Sequence, residues 1–310
     1  MGRIIFLNPK PRHLISGGVK TVYRHAEMLT ELGFDAYVFQ PDGPADWFKS
    51  SAKVLTGAQP PPSASETLVF PENPTGWVAQ VAQASIPARK ILFCQNQYYV
   101  FDGAIPPEDL NAVKYAKILC PSEVSKGFLS RVFHLAAIDI VPNHVDPAIF
   151  FPRAKKMQIA LMPHKLQRQA ALLRAMLHVK YPQLRSIPWR AIMNTTEEQT
   201  GEILGESTIY LSLSSMESFG LVPIEAMASG CIVVGFHGYG GREYAGAENG
   251  FWFSPEFLEE VVDALAAVAN GLQANDAKLA AMREAGFATA ARYTRALTKE
   301  ALARAYAGGE

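Results

Sequence analysis

The sequence has few cysteines and no long apolar run. Three cysteines occur in 310 residues, Cys94, Cys120 and Cys231, each inside an apolar segment where a small thiol packs as a hydrophobe. Their odd number and irregular spacing argue against a disulfide framework or a zinc site. No apolar run approaches the roughly 18 residues of a membrane span, and the first residues show no charged-then-apolar leader. These absences favour a cytoplasmic protein, with peripheral contact at a membrane surface left open.

An excess of charge of one sign is also lacking. The 29 Lys and Arg residues balance 29 Asp and Glu residues, so the formal net charge is zero. Duplex nucleic acid requires a basic footprint, and we therefore expect no nucleic-acid partner. No pair of aspartates has the D-x-D spacing, and the seven histidines and three cysteines show no metal-ligand spacing. We expect neither a metal ion nor another cofactor.

Short apolar segments alternate with helical periodicity along the chain. In the first crossover, Val22, Ala26, Leu29 and Leu32 recur at helical spacing, and Gly33 marks the end of the helix. Strand-helix-strand alternation predicts an α/β fold with parallel sheets. The predicted strands of the first half are 3–8, 35–39, 52–56, 67–70, 90–94, 116–120 and 137–141.

The segment VPNHVDPAIFFPRAKK (141–156) interrupts this alternation with three prolines and a basic pair. At about twice the length of a typical domain, the chain is expected to form two domains, 1–150 and 151–290, followed by a terminal helix within 291–310. The second half repeats the alternation. Its predicted strands are 158–162, 188–193, 208–213, 231–236 and 251–253, and its predicted helices are 166–180, 196–205, 221–229, 256–270, 275–290 and 295–307.

Two glutamates flank a predicted helix start in the second half. If the helix begins near Leu221, Pro223 falls in its first turn, Glu217 precedes it and Glu225 lies in its second turn. The helix N-terminus between them offers unpaired N–H groups and a positive dipole end. This arrangement suits a phosphate flanked by hydroxyl-bearing sugars. The alternative is that Glu217 is a solvated acid flanking the helix and Glu225 is an exposed position of an amphipathic helix.

Several motifs around these glutamates resemble glycosyltransferase family 4, a group of retaining enzymes with the GT-B fold. ESFGLVPIEAMASG matches the family's E-x7-E signature, and LISGGVKTVYRHAEMLTELGFDAYVF resembles its opening Gly-Gly loop and first helix. ILCPSEVSKGFL and DIVPNHVDPAIFFP resemble the strand before the hinge and the interdomain segment. The motifs occur in the family's order across residues 1 to 253.

The resemblance implies two Rossmann-like domains with parallel sheets facing across a cleft. It also implies transfer of a sugar, with retention, from a nucleoside diphosphate sugar to an acceptor. We expect a glycan or lipid-linked acceptor and, because no D-x-D pair is present, a reaction that needs no metal ion. Glu225 would bind the donor ribose, and Glu217 the transferred sugar, as a catalytic residue but not a covalent nucleophile. Other donor contacts implied by the resemblance are Gly17, Gly18, Phe219, Gly220, Leu221, Val222 and Glu243.

The sequence departs from the family in both halves. The family places Lys against the leaving diphosphate five residues after an Arg, and here Lys165 follows Ala160. Lys165 is the second expected catalytic residue, and His164 or Arg168 would replace the missing Arg, or phosphate binding is weaker. In the first half, Gln95, Asn96 and Gln97 stand where many relatives carry a sugar-contacting His, and such amides cannot act as general bases at neutral pH. The nearest alternatives in sequence are His13 and His25, each more often structural when isolated.

Two alternatives to a glycosyltransferase remain open at this point. A nucleotide-sugar epimerase can have the same fold, but its additional acidic and histidine residues cannot be placed in this sequence. A non-catalytic nucleotide-sugar-binding or scaffold protein would explain the missing Arg and His. The terminal helix is expected to return to the first domain, with its basic residues more typical of a solvated face than of a lipid-binding one.

Overall fold

Parallel β-strands form two separate sheets in the computed structural model, which describes residues 2–58, 62–164 and 166–307. The chain divides into two compact units. Unit 1 comprises Met1–Asn143 and Ala296–Glu310, and unit 2 comprises His144–Arg295. All the paired strands run parallel, which confirms the α/β class predicted from the alternation.

The sheet of unit 1 has seven strands in the order β3-β2-β1-β4-β5-β6-β7. Each of the seven apolar segments predicted in the first half coincides with one of these strands to within one residue at each end, because short β-branched and aromatic runs favour a buried pleated sheet. The elements are β1 (Ile4–Leu7), α1 (Gly17–Glu31), β2 (Ala36–Phe39), β3 (Lys53–Leu55), β4 (Thr67–Pro71), α2 (Gly76–Gln83), β5 (Arg89–Phe93), β6 (Lys117–Cys120), α3 (Glu123–Phe133) and β7 (Ile138–Ile140).

The sheet of unit 2 has five strands in the order β12-β11-β10-β8-β9. Each predicted strand and helix of the second half is confirmed to within a few residues. The elements are β8 (Lys156–Leu161), α4 (Gln167–Lys180), β9 (Trp189–Ala191), α5 (Glu197–Glu206), β10 (Ser207–Ser214), α6 (Leu221–Ala228), β11 (Ile232–His237), β12 (Gly250–Phe253), α7 (Leu258–Gln273) and α8 (Ala277–Ala290), and the last helix of the chain is α9 (Arg295–Ala307).

Helices cover both faces of the sheet in unit 2. Alternate side chains of β10 point to opposite faces, so Ile209 and Leu211 pack in the core beneath α4 and α7, whereas Tyr210 packs in the core beneath α6. Burial on both faces explains why the strands read as continuous apolar runs. Loops and helix N-termini lie at the edge where the parallel strands end, which is called the carboxyl edge below.

Unit 1 includes the last helix of the chain. Leu302, Ala305 and Tyr306 of α9 belong to the same apolar core as β1 and α1. Lys117 donates a hydrogen bond from Nζ to the carbonyl of Ala305 at 2.8 Å, and Thr298 donates from Oγ1 to the carbonyl of Pro142 at 2.8 Å. The chain therefore leaves unit 1 once and returns to it.

The division between the units falls at Asn143 and His144, earlier than the 150/151 position expected from the sequence. Residues after His144 already belong to unit 2, because Val145 donates its N–H to the carbonyl of Tyr293 at 3.0 Å and Phe150 is buried in the core of that unit. None of the described helices is both long and apolar enough to cross a membrane.

Candidate functional site

The carboxyl edge of the unit 2 sheet holds most of the predicted site residues. The sheet reverses its strand order at β8, which pairs with β10 on one side and with β9 on the other. In open α/β sheets, ligands bind at the carboxyl edge next to such a reversal. β10 ends there at Ser214, and residues 215–220, called the site loop below, connect it to α6.

Helix α6 is flanked by two glycines in left-handed conformations. Gly220 is the N-cap with φ of 78°, and the helix runs from Leu221 to Ala228. Pro223 lies in the first turn, where its missing N–H costs no intrahelical bond. Beyond the C-cap, Gly230 has φ of 79° and donates its N–H to the carbonyl of Met227 at 2.9 Å. The expected start and stop of this helix are therefore confirmed.

The two glutamates lie on either side of this helix start. Glu217 is half-buried in the site loop, whereas Glu225 is only 4% exposed in the second turn of α6. Burial raises the pKa of Tyr210, and the charges of Glu225 and Glu217 both add to the increase. Both carboxylates therefore lie within electrostatic reach of one buried hydroxyl beneath the site loop. Leu221 and Val222 are half-buried in the first turn of α6.

A glycine-rich segment after β11, residues 238–241, fastens the site loop and is called the glycine loop below. Gly240 donates its N–H to the carbonyl of Glu217 at 2.8 Å, and Tyr239 donates to the carbonyl of Ser215 at 3.2 Å. A Cβ at Gly240 would lie 2.0 Å from the carbonyl carbon of Ser218. Only glycine permits this close approach of two backbones.

Aromatic rings support the site loop from below. Phe219 is buried, with its ring centroid 5.1 Å from that of Tyr293 and 5.8 Å from that of Tyr244. Tyr244 also donates a hydrogen bond from its hydroxyl to the carbonyl of Gly220 at 2.6 Å. Sequence reasoning missed Tyr244. No local signal in the sequence identifies it, because its partner Gly220 lies 24 residues away.

The remaining predicted donor residues of unit 2 occupy different positions. Glu243 is half-buried at the end of a 3₁₀ turn, Gly240–Glu243, on the glycine loop side of the site. His164 is exposed in the turn after β8, and Arg168 is exposed in the first turn of α4. Ala160, which stands in the register of the family's Arg, is buried inside β8. Lys165 lies outside the described residues and remains a prediction.

In unit 1, Gly17 and Gly18 are the first residues of α1, which starts earlier than the apolar periodicity alone indicates. A Cβ at Gly18 would lie 3.3 Å from Nε2 of Gln95, and that amide donates to the carbonyl of Gly18 at 3.1 Å. Asn96 and Gln97 are buried at the carboxyl edge of this sheet, and Gln97 accepts a hydrogen bond at 2.9 Å from the hydroxyl of Ser125.

The two isolated histidines, His13 and His25, both contact other residues of unit 1. His25 is buried, with its ring stacked on Phe93 at a centroid distance of 4.8 Å. His13 is exposed and forms an ion pair with Asp46 when protonated. The described part of the chain contains no cluster of three or more His, Cys, Asp or Glu side chains able to hold a metal ion. Each of the three cysteines is buried and free, as their apolar surroundings predict.

Comparisons with known proteins identify a domain and a fold. Residues 190–287 match the family model described as Glycosyl transferases group 1. An alpha-1,6-glucosyltransferase from Actinobacillus pleuropneumoniae serotype 7 (strain AP76) is 26% identical over 231 residues, which cover 72% of this chain and 70% of that protein. The matched domain contains the site loop, α6 and the glycine loop.

Solved structures resemble the chain over nearly its whole length. A glycosyltransferase from Rickettsia africae ESF-5 aligns with a TM-score of 0.72 at 15% identity, covering 99% of each chain. HepE from Anabaena in complex with UDP-glucose aligns with a TM-score of 0.71 at 15% identity, covering 99% of this chain and 100% of that one. The fold is that of GT-B glycosyltransferases, and the group 1 domain supports a glycosyltransferase activity.

Proposed function

We propose that this glycosyltransferase is a retaining, metal-independent enzyme of family 4 that transfers a sugar from a nucleoside diphosphate sugar to a hydroxyl of a glycan or lipid-linked acceptor. The observation that carries the proposal is the pair of carboxylates, Glu217 and Glu225, on either side of the N-terminus of α6 at a strand-order reversal. A lipid-linked acceptor would require peripheral contact with a membrane surface, whereas a soluble glycan would not.

UDP-glucose is the first donor to test. HepE was solved in complex with UDP-glucose, and the relative from Actinobacillus pleuropneumoniae is named a glucosyltransferase. In this proposal Glu225 accepts hydrogen bonds from the ribose, Glu217 accepts hydrogen bonds from the transferred sugar, and the first N–H groups of α6 donate to the diphosphate. The positive end of the helix dipole adds to the attraction for that dianion.

The protein must stabilise a departing diphosphate while positive charge develops at the anomeric carbon. The bond from that carbon to the phosphate oxygen breaks, and a bond to the acceptor oxygen forms on the same face of the sugar. The acceptor's proton passes to an oxygen of the leaving diphosphate. Preorganised N–H groups stabilise the charge on the leaving group without a metal ion, and Lys165 is proposed to add a cation.

A non-catalytic nucleotide-sugar-binding protein is the second candidate. It is favoured by Ala160, buried where the family has Arg, and by the amides of Gln95, Asn96 and Gln97 in place of the family's His. Such a protein would bind the donor and release neither glucose nor a glucosylated product.

A turnover assay separates the two candidates. We expect wild-type protein to release UDP from UDP-glucose, by transfer or slow hydrolysis, in the presence of excess EDTA. Glu217→Gln is expected to reduce turnover about a hundredfold, because hydrogen bonds to charged groups contribute about 1.5–3 kcal/mol and this one orients the reacting sugar. Glu202→Gln, an exposed change on α5, serves as the control and should leave turnover unchanged.

The outcomes are distinct. Donor binding without turnover across a panel of sugars and acceptors would favour the scaffold protein. Turnover that requires a divalent cation would contradict the metal-independent mechanism, and inversion at the anomeric carbon, observed by NMR of the first product formed, would contradict retention.

A further inference from the structure

The geometry points to Tyr244 as a positioning residue for the proposed transfer, one that orients the first N–H group of α6 through the carbonyl of Gly220. This inference rests on the proposed function, because the value of that N–H lies in its contact with the donor diphosphate. Tyr244 does not itself touch the donor in this account. It is buried beneath the site loop.

The hydroxyl of Tyr244 contacts Gly220 where the backbone turns into the helix. It donates to the Gly220 carbonyl at 2.6 Å, and Gly220 has the left-handed φ of 78°. A Cβ at Gly220 would lie 2.9 Å from that same hydroxyl oxygen. Glycine at this position therefore satisfies two requirements, the positive φ and the space for the phenol.

Fixing the carbonyl of Gly220 also fixes the N–H of Leu221. The two groups belong to one peptide unit, which is planar, so the oxygen and the hydrogen point in opposite directions along the same plane. The N–H of Leu221 is the first of the groups at the start of α6 that have no intrahelical acceptor. Rotation of that peptide would turn the group away from the proposed diphosphate position.

Tyr244 is itself held by a buried amide. Asn249, 2% exposed, donates from Nδ2 to the carbonyl of Tyr244 at 2.7 Å and to Oγ1 of Thr289 at 3.1 Å. Its Oδ1 accepts the N–H of Gly246 at 3.0 Å and the indole N–H of Trp252 at 3.0 Å. All four hydrogen bonds that an asparagine side chain can readily make are therefore formed within unit 2. A satisfied buried network of this kind rigidifies its surroundings.

The protonation state of Tyr244 suits a permanent donor. Burial raises the pKa of its phenol well above the usual value, and the charges of Glu217 and Glu243 add to the increase. The hydroxyl keeps its proton at any pH at which the enzyme would work. Tyr244 therefore lies within electrostatic reach of two predicted site carboxylates, Glu217 and Glu243.

The test is a pair of tyrosine-to-phenylalanine substitutions in the full-length protein. Tyr244→Phe removes the hydrogen bond to Gly220 and keeps the ring in place. Tyr293→Phe is the matched control, because its ring packs against the same Phe219 at a centroid distance of 5.1 Å, whereas the Gly220 carbonyl is bound by Tyr244. Both variants retain the aromatic cluster, so both are expected to fold.

Turnover of UDP-glucose and the melting temperature are measured for each variant. We expect Tyr244→Phe to lower kcat about tenfold while KM for the donor changes less than about threefold, because the N–H acts mainly on charge that develops in the transition state. Tyr293→Phe should change kcat less than about twofold. A purely structural tyrosine would lower the melting temperature and leave kcat of the folded variant unchanged, and that result would overturn the inference.

Failure of the inference can be told apart from failure of the proposed function. If wild-type protein turns over no nucleotide sugar, the proposed function fails. The role of Tyr244 is then tested by the affinity of the variants for UDP. In that case, UDP binding by Tyr244→Phe that equals wild-type binding in calorimetry overturns it, whereas binding weakened severalfold, with Tyr293→Phe unaffected, supports it.

Discussion

At the residue scale, Glu72 is an ionisable group that the proposed reaction does not use. It follows β4 in unit 1, is 5% exposed, and accepts the N–H of Asn96 at 3.0 Å. Burial raises the pKa of Glu72 to about 7 from its usual value of about 4.5, although backbone hydrogen bonds from Gln95 and Asn96 oppose the increase. The carboxylate is therefore disfavoured in the folded protein relative to the unfolded chain.

This shift predicts a pH dependence of stability. Between about pH 4.5 and pH 7 the folded protein keeps the Glu72 proton, whereas the unfolded chain releases it. The contribution of Glu72 to the stability of the fold is therefore complete below about pH 4.5 and is lost as pH rises through about 7. The loss is on the order of 3 kcal/mol at most. Glu72→Gln should remove this component, so denaturant unfolding at pH 5 and at pH 8 should differ less for the variant than for wild type. Equal differences in the two proteins would show that Glu72 does not titrate in this way.

The sequence predicted the positions of those candidate residues that depend on the backbone preferences of nearby glycines and prolines. Glu217 and Glu225 flank the start of α6 as expected, because Gly220, Pro223 and Gly230 set the bounds of that helix through backbone preferences. Tyr244 could not be predicted, since its contact with Gly220 spans 24 residues of sequence and depends on the path of β11 between them.

At the scale of elements, the glycine loop packs on the site loop so closely that a single added methyl group would disturb the contact. A Cβ at Gly240 would lie 2.0 Å from the Ser218 carbonyl carbon and 2.3 Å from the Phe219 nitrogen, both backbone atoms. Backbone cannot move aside as a flexible side chain can. An added methyl group must therefore displace one loop from the other.

Gly240→Ala should thus lower both stability and turnover. We expect a loss of about 2 kcal/mol in the free energy of unfolding, typical of overpacking, and a reduction in kcat/KM of at least about tenfold as the site loop shifts. Gly286→Ala is the control. Its added Cβ would lie 3.5 Å from the Met227 side chain, an ordinary contact distance, and alanine is a better helix former than the glycine it replaces in α8. Wild-type kinetics in folded Gly240→Ala would show that the two loops are not coupled in function.

The strands, α1 and the helices of the second half were predictable, whereas α2, α3 and the contacts between loops were not. The period of apolar residues indicated the strands and α1, but α2 and α3 were not assigned individually. The contact between the glycine loop and the site loop depends on the parallel pairing of β10 with β11, which sequence periodicity does not reveal.

At the scale of the whole molecule, α9 joins the end of the chain to the first half of the sequence. Leu302 is fully buried in the core of unit 1, whereas Leu297 on the same helix is 46% exposed. The expected terminal helix is present, and its apolar side packs with β1 and α1. The sequence could not fix the unit boundary near 143, because residues 144–151 look like a linker but contribute Val145 and Phe150 to the core of unit 2.

Leu302→Ala should therefore destabilise unit 1. Removal of a fully buried leucine side chain costs about 2–5 kcal/mol, whereas Leu297→Ala should cost less than about 1 kcal/mol. Limited proteolysis with mass spectrometry would locate the effect, with cleavage of Leu302→Ala accelerated in residues 2–143 and not in residues 144–295. Equal rates of proteolytic cleavage in residues 2–143 of Leu302→Ala and Leu297→Ala would contradict the assignment of α9 to the core of unit 1.

Calorimetry of UDP binding measures whether α6 and its two glutamates bind the nucleotide of a nucleoside diphosphate sugar. We expect wild-type protein and the control Glu202→Gln to bind UDP equally, and Glu225→Gln to bind it about 10- to 100-fold more weakly, as expected for loss of a hydrogen bond to a charged acceptor. Equal affinity of wild type and Glu225→Gln for UDP would show that Glu225 does not bind the nucleotide, and no binding of UDP or UDP-glucose by wild type would rule out the donor site at α6.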